Sequence, residues 1–182
     1  MQKNIFTQIA TGILMVGLSV LVVVLARENM QLKERLDGSR KPREALKPND
    51  TLSILKVSTL KGDSLELDFT KEQQKMLLFV FSTTCPVCVK SLDAWNQISK
   101  SPAAKQYKVL GISTYDLKMT LDYTTTHKLA FPVYVARDTT LGIRFKVTFV
   151  PQTLQVKPFG VVENNWGGLV DSVRQQEILS RL

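Results

Sequence analysis

The segment Met76–Ser82 reads MLLFVFS, a short and continuous apolar run. Such a run fits a strand buried on both faces, in the middle of a sheet covered by helices. It leads directly into TTCPVCVKSLDAWNQISK, where Cys88, Leu92, Trp95 and Ile98 recur at helical spacing on one face. A buried strand that runs into an amphipathic helix marks a layered α/β domain.

The flanking sequence extends this pattern. Leu52 to Thr59 and Ser64 to Phe69 read as two short strands around the turn Lys61-Gly62-Asp63. Tyr107 to Ser113 is a further strand. Asp116 to about Leu129 is a helix, with Asp116 as its cap. Phe131 to Ala136 follows as a strand, and Asp138 to Phe145 as a short helix. Gln152 to Lys157 and Val161 to Trp166 pair as a hairpin across Pro158-Phe159-Gly160, and Leu169 to Leu182 closes the chain as a helix. Residues 51–182 are therefore expected to form an α/β domain, a mixed sheet flanked by helices on both faces.

The N-terminal part has a different character. Ile5 to Leu25 carries no charge, and its polar residues are Thr7, Gln8, Thr11 and Ser19. As a helix it spans roughly 30 Å, the hydrocarbon thickness of a bilayer. Val24-Leu25-Ala26 offers a loose signal-peptide cleavage site, but the apolar run exceeds the ~7–15 residues of a signal-peptide core. A buried helix of a soluble domain is the third reading, since all faces of the segment are apolar. Residues 1–26 are read as one transmembrane anchor. Residues 27–50, polar and carrying Pro42 and Pro48, are read as a charged linker. Helix can continue to Leu36, with Gly38 as a stop.

The inventory of reactive residues is small. The chain of 182 residues has two cysteines, one histidine and a formal net charge of +8. A structural zinc site usually takes four Cys/His ligands, and only Cys85, Cys88 and His127 exist. Val89 follows Cys88, so the C-x-x-C-H of covalent haem attachment is missing. No nucleophile motif surrounds His127, and neither Gly-rich phosphate-binding pattern occurs. No basic run interleaved with aromatics marks a nucleic-acid surface; the positive charge suits an anionic membrane surface instead. Neither a bound metal nor an organic cofactor is expected.

That leaves Cys85-Pro86-Val87-Cys88, at the junction of strand and helix. The first turn of a helix has unpaired N–H groups and a partial positive end, which favour a thiolate. Cys85 is therefore expected to be the attacking sulfur. Cys88 lies one turn on, within reach for a disulfide, on the apolar face with Leu92 and Trp95. It is expected to be the less exposed, resolving thiol. Pro86 fits a first helical turn, where its missing N–H has no partner to lose. Thr83 and Thr84 are candidate caps. An inert pair of half-buried cysteines is the bland alternative.

FVFSTTCPVC resembles the active-site segment of the thioredoxin superfamily. It is particularly similar to the membrane-tethered TlpA-like redoxin branch, which often shows F-x-x-T-x-C-P-x-C. Val150-Pro151-Gln152-Thr153 resembles the V-P-x-T segment of that family. Phe159-Gly160 and Gly167-Gly168 fit its terminal hairpin and the turn before its last helix. The resemblance covers roughly residues 51–182 and implies a thioredoxin-like fold and thiol–disulfide exchange with protein thiols and disulfides. It implies an upstream redox partner as well. It makes Pro151 a cis-proline facing the two sulfurs, and Val150 the residue whose backbone pairs with a substrate strand. Pro86, Val150 and Pro151 are then the substrate-binding residues. Two positions depart from the family. Thr84 stands where thioredoxins have Trp, and Phe79 stands where many carry a buried acid; Asp93 and Glu163 are candidate substitutes.

A peroxiredoxin-like thiol peroxidase is the alternative, since that family shares the fold. Its P-x-x-x-T-x-x-C motif would need Pro at 78 and Thr at 82, where this chain has Leu78 and Ser82. A non-catalytic binding module is the third, and the intact C-P-V-C argues against it. The anchor has Lys3 before it, and Arg27, Lys33, Arg35, Arg40, Lys41, Arg43 and Lys47 after it. The positive-inside rule alone would put the domain in the cytoplasm. The resemblance implies an extracytoplasmic domain, single-pass in a bacterial inner membrane and facing the periplasm. The second orientation is the expected one. A reporter active only outside the cytoplasm, fused after Leu182, should be active; a silent reporter on a stably expressed fusion would reverse the orientation.

Overall fold

The computed structural model describes residues 2–39, 46–136 and 141–182; side chains are described for 12 and 14–31 of the first span, and for the other two spans except 143 and 144. Residues 40–45 of the expected linker, and the first residues of the expected 138–145 helix, lie outside the described residues. The chain divides into two compact units, Met1–Arg43 and Glu44–Leu182.

The first unit is a helix, α1, Gln2–Ser39. It passes Gly38, the expected stop, by one residue. Its stretch Leu14–Gln31 is long and apolar enough to cross a membrane, and none of that stretch is buried within the protein.

The second unit alternates strands and helices. They are β1 (Ile54–Ser58), β2 (Ser64–Asp68), β3 (Met76–Phe81), α2 (Pro86–Lys100), β4 (Lys108–Ser113), α3 (Leu117–His127), β5 (Val133–Ala136), α4 (Leu141–Arg144), β6 (Gln152–Val156), β7 (Val162–Gly167) and α5 (Ser172–Arg181). The strands form one mixed sheet in the order β2-β1-β5-β4-β3-β6-β7. β3 lies inside it, parallel to β4 and antiparallel to β6. Every residue of β3 is buried, as its uniform apolarity requires.

The alternation along β3 separates two cores. Leu77, Phe79 and Phe81 pack with Trp95 and Ile98 of α2, Tyr123 of α3 and Ile178 of α5. Met76, Leu78 and Val80 pack on the other face with Leu52, Phe69, Leu141 and Phe145. The second face is thus covered mainly by loops, a 3-10 turn and the short α4. Longer helices cover the first face, and Cys85-Pro86-Val87-Cys88 lies there.

Observed helices start where a side chain can cap them. α3 begins after Asp116, whose carboxylate accepts from Met119 N at 2.9 Å. α5 begins after Asp171, which accepts from Arg174 N at 2.8 Å. It therefore starts three residues later than its apolar pattern indicated. Leu169 is left exposed, and Val170 N donates to Ser91 Oγ at 3.1 Å. The segment before β1 also belongs to the domain. Leu46 is buried, Asn49 N donates to Val162 O, and Val162 N donates to Asp50 O, each at 2.8 Å.

The β6–β7 turn depends on a residue without a side chain. Gly160 has φ +78°, and a Cβ there would sit 2.6 Å from Leu52 O and 3.1 Å from Phe69 Cβ. Gly160→Ala should therefore destabilise the domain by about 2 kcal/mol or more, since left-handed strain and a backbone clash add. Urea unfolding of the full chain, followed through buried Trp95 and Trp166, measures it; an unchanged midpoint would refute this account of the turn.

Candidate active site

β3 delivers the chain to the first-helix face of the sheet at Phe81. A turn follows, in which Cys85 N donates to Ser82 O at 3.2 Å. That turn makes Cys85 itself the N-cap of α2, with extended backbone (φ −92°, ψ 112°). Its sulfur accepts from Cys88 N at 3.3 Å. The expected threonine caps are not used. Thr84 Oγ1 is hydrogen-bonded to Ser82 Oγ at 3.1 Å, and Thr83 Oγ1 is buried without a partner among the described residues. The physical reason is register: only the residue directly before the helix can reach the N–H three positions on, and that residue is the cysteine. Pro86 follows at the first helical position, exposed, as its chemistry permits.

The two sulfurs have unlike surroundings. Both are free thiols; Cys85 is half-buried, and Cys88 is wholly buried among Leu92, Trp95 and Phe81. Burial pushes the Cys88 thiol up to about 12, and the Cys85 thiol beside it pushes the same way. The backbone N–H of Ser82 pulls in the opposite direction.

Across from the helix start, the Val150–Pro151 peptide bond is cis. Pro151 is buried, and Val150 O accepts from the Cys85 thiol at 3.8 Å. Cys85, Cys88 and Val150 are thus gathered at one place, with Pro86 and Pro151 covalently next to them. Two ties hold that gap. Trp95 Nε1 donates to Thr153 Oγ1 at 2.9 Å, joining α2 to β6 beneath the site. Gly168 N donates to Pro151 O at 2.9 Å, joining the β7–α5 turn to the proline.

The substitutes considered for a buried acid do not serve. Asp93 is exposed, and Glu163 is paired with Lys157 at 3.2 Å. Phe79 is fully buried and stacked on Trp95, with ring centroids 5.1 Å apart. Leu78, where a peroxidase motif would need proline, points to the opposite core from Cys88. Among the described residues no group of three or more His, Cys, Asp or Glu is placed to hold a metal ion.

Two residues at the site escaped sequence reasoning. Ser91 is fully buried and bridges Val87 O and Val170 N, both at 3.1 Å. Tyr123 lies in the same core as both cysteines. A polar residue on the apolar face of α2 was the only available sign of Ser91. For Tyr123 there was no local sign, because α3 reaches the motif only through the fold.

Residues 48–165, the greater part of the chain, match the model of the AhpC/TSA family. The chain belongs to that family. No curated protein matches it in sequence. Its fold is shared with solved structures of low identity. StoA from Bacillus subtilis is 16% identical, with TM-score 0.58, over 73% of this chain and 98% of that one. The thioredoxin domain of a thiol-disulfide oxidoreductase from Bacteroides vulgatus is 15% identical, with TM-score 0.61, over 75% and 98%. A secreted Mycobacterium tuberculosis disulfide oxidoreductase homologous to E. coli DsbE is 19% identical, with TM-score 0.56, over 69% and 92%. The thioredoxin-like fold expected from C-P-V-C and V-P-x-T is therefore the fold observed.

The buried thiol gives the protein an alkaline limit. Between pH 9.0 and about 12 the folded dithiol keeps on Cys88 a proton that the unfolded chain releases. The resulting stability is complete below that window and is lost as pH rises through it. Cys88→Ala should therefore flatten the fall of the urea midpoint between about pH 9 and 11. Equal slopes for the two proteins would show that Cys88 titrates normally.

Proposed function

We propose that the domain is a thiol–disulfide oxidoreductase that exchanges disulfides with protein partners through Cys85 and Cys88. The observation that carries this reading is the contrast between the two sulfurs. Cys85 is partly exposed at a helix N-cap, where a backbone N–H already points at its sulfur. Cys88 is sealed beneath it. In the exchange, the Cys85 thiolate attacks one sulfur of a partner disulfide, and the partner's other sulfur leaves as a thiolate. Cys88 then attacks Cys85 in the mixed disulfide. The Cys85–Cys88 bond forms, and the partner leaves with both of its sulfurs reduced. The reverse sequence oxidises a partner dithiol, and the upstream redox partner sets the direction.

Val150 and Pro151 are proposed to receive the partner. Val150 O lies beside Cys85, so an extended segment carrying the target cysteine can pair with this backbone as an added strand. Exposed Pro86 and Val87 border the same opening. We further propose an anchor in residues 1–26 and a catalytic domain in 51–182, with the last residues of the 27–50 linker, from Leu46 on, packed onto that domain. The single pass would lie in a bacterial inner membrane, with the catalytic domain on the periplasmic side. The length and apolarity of Leu14–Gln31 support the anchor. The resemblance to the tethered redoxin branch supports the orientation.

Trapping in cells tests the roles. Cys88→Ser should accumulate mixed disulfides between Cys85 and partner proteins, seen as reductant-sensitive bands on non-reducing gels. Cys85→Ser should trap almost none. If Cys88→Ser traps no protein, and the wild type instead consumes hydroperoxide with a thiol reductant while leaving protein disulfides untouched, the chain is a peroxidase.

A further inference from the structure

The resolving step has a difficulty that the cysteines do not remove. Cys88 must become a thiolate to attack, and it does so in a fully buried core of Leu92, Trp95, Phe81 and Phe79. A bare charge there is costly unless a donor meets it. One polar group in that core has no assigned task. Tyr123, on α3, is 8% exposed, and its hydroxyl is buried with no hydrogen-bond partner among the described residues. Its ring stacks on Phe81, centroids 5.5 Å apart with planes 22° from parallel. Phe81, Tyr123 and Cys88 belong to one core, so the phenol stands in the same packed interior as the resolving sulfur. A buried phenol without a partner normally costs stability, so its retention needs a reason.

Among the described residues, the titratable groups set against Tyr123 are Cys88, Cys85 and, on its own helix, His127, whose ring centroid lies 4.5 Å away. Burial, then the charge of Cys88, then that of Cys85 push the phenol up to about 12. It thus remains a neutral donor at any physiological pH, in the core that both cysteines join.

Resting on the exchange reaction above, we propose that Tyr123 is the hydrogen-bond donor for the resolving sulfur: its hydroxyl, directly or through one water, stabilises the Cys88 thiolate as it attacks the mixed disulfide. The Cys88 S–H bond breaks and its proton passes to solvent. The Cys85–Cys88 bond forms as the Cys85–partner bond breaks, and the partner sulfur takes the electron pair. Tyr123 keeps its own proton throughout.

An aromatic disulfide, 5,5′-dithiobis(2-nitrobenzoate), separates the two steps, using the reduced full chain in detergent. Attack by Cys85 releases one coloured thiolate, and resolution by Cys88 releases the second. Tyr123→Phe keeps the ring and its stacking. It should leave the first release within about twofold of wild type and slow the second about tenfold or more, the rate equivalent of one hydrogen bond to a charged group. Fluorotyrosine at 123, a stronger donor of the same shape, should speed the second release. That variant keeps the proposal testable if Tyr123→Phe folds poorly. A second release that neither variant changes overturns the proposal. So does equal slowing of both releases by Tyr123→Phe, which would make the residue purely structural. A wild type that releases no coloured thiolate removes the exchange reading itself, an outcome distinct from either.

Discussion

Complete burial of β3 is the constraint on which the rest depends. Each of its large side chains, held between two cores, contributes about 1.5–3 kcal/mol relative to exposure. The strand must then sit inside the sheet, between β4 and β6. Its last residue, Phe81, faces the helix-covered core, so the chain leaves the sheet on that side. The turn at Ser82 and the start of α2 follow from that exit. So does the meeting with the Val150–Pro151 segment, because β6, which begins right after it, is the neighbour of β3. The redox motif is placed by packing, not by its own chemistry.

The same exit makes the two cysteines unequal. A residue at the N-cap projects beyond the helix, whereas one a turn later must face inward or outward. Cys88 is in register with Leu92 and Trp95 and faces inward. A half-buried sulfur and a wholly buried one thereby arise from spacing alone. The threonines before the motif have no such choice, since the turn leaves them short of the helix amides.

How much of this was legible in the sequence follows from where the information resides. The strand–helix junction was legible because β3 is apolar throughout and α2 repeats its apolar residues on one face. Pro151 was legible only by resemblance, since a proline before a strand has ordinary uses. The Cys85 cap was not, because threonine hydroxyls are the commoner caps and register decided against them. The start of α5 was misplaced because Leu169 and Val170 continue its apolar pattern, while Asp171 sets the cap. Strand order was not legible either. β5 lies between β1 and β4 although it is distant from β1 in sequence, and only the packed sheet brings them together.

The chemistry of the buried core favours a phenol as the donor proposed for Cys88. The core residues packed with Cys88 are mainly aromatic or aliphatic, and Phe79 stands where the resemblance to thioredoxins implies a buried acid. A carboxyl group there has no cation to pair it among the described residues, so ionising it would cost several kcal/mol. A tyrosine hydroxyl is neutral, and its ring belongs to the same aromatic stack through Phe81. It carries no charge while Cys88 is protonated and gains a strong partner only while that sulfur is charged. A core that must hold a charge briefly is therefore better served by a neutral donor than by a second ion.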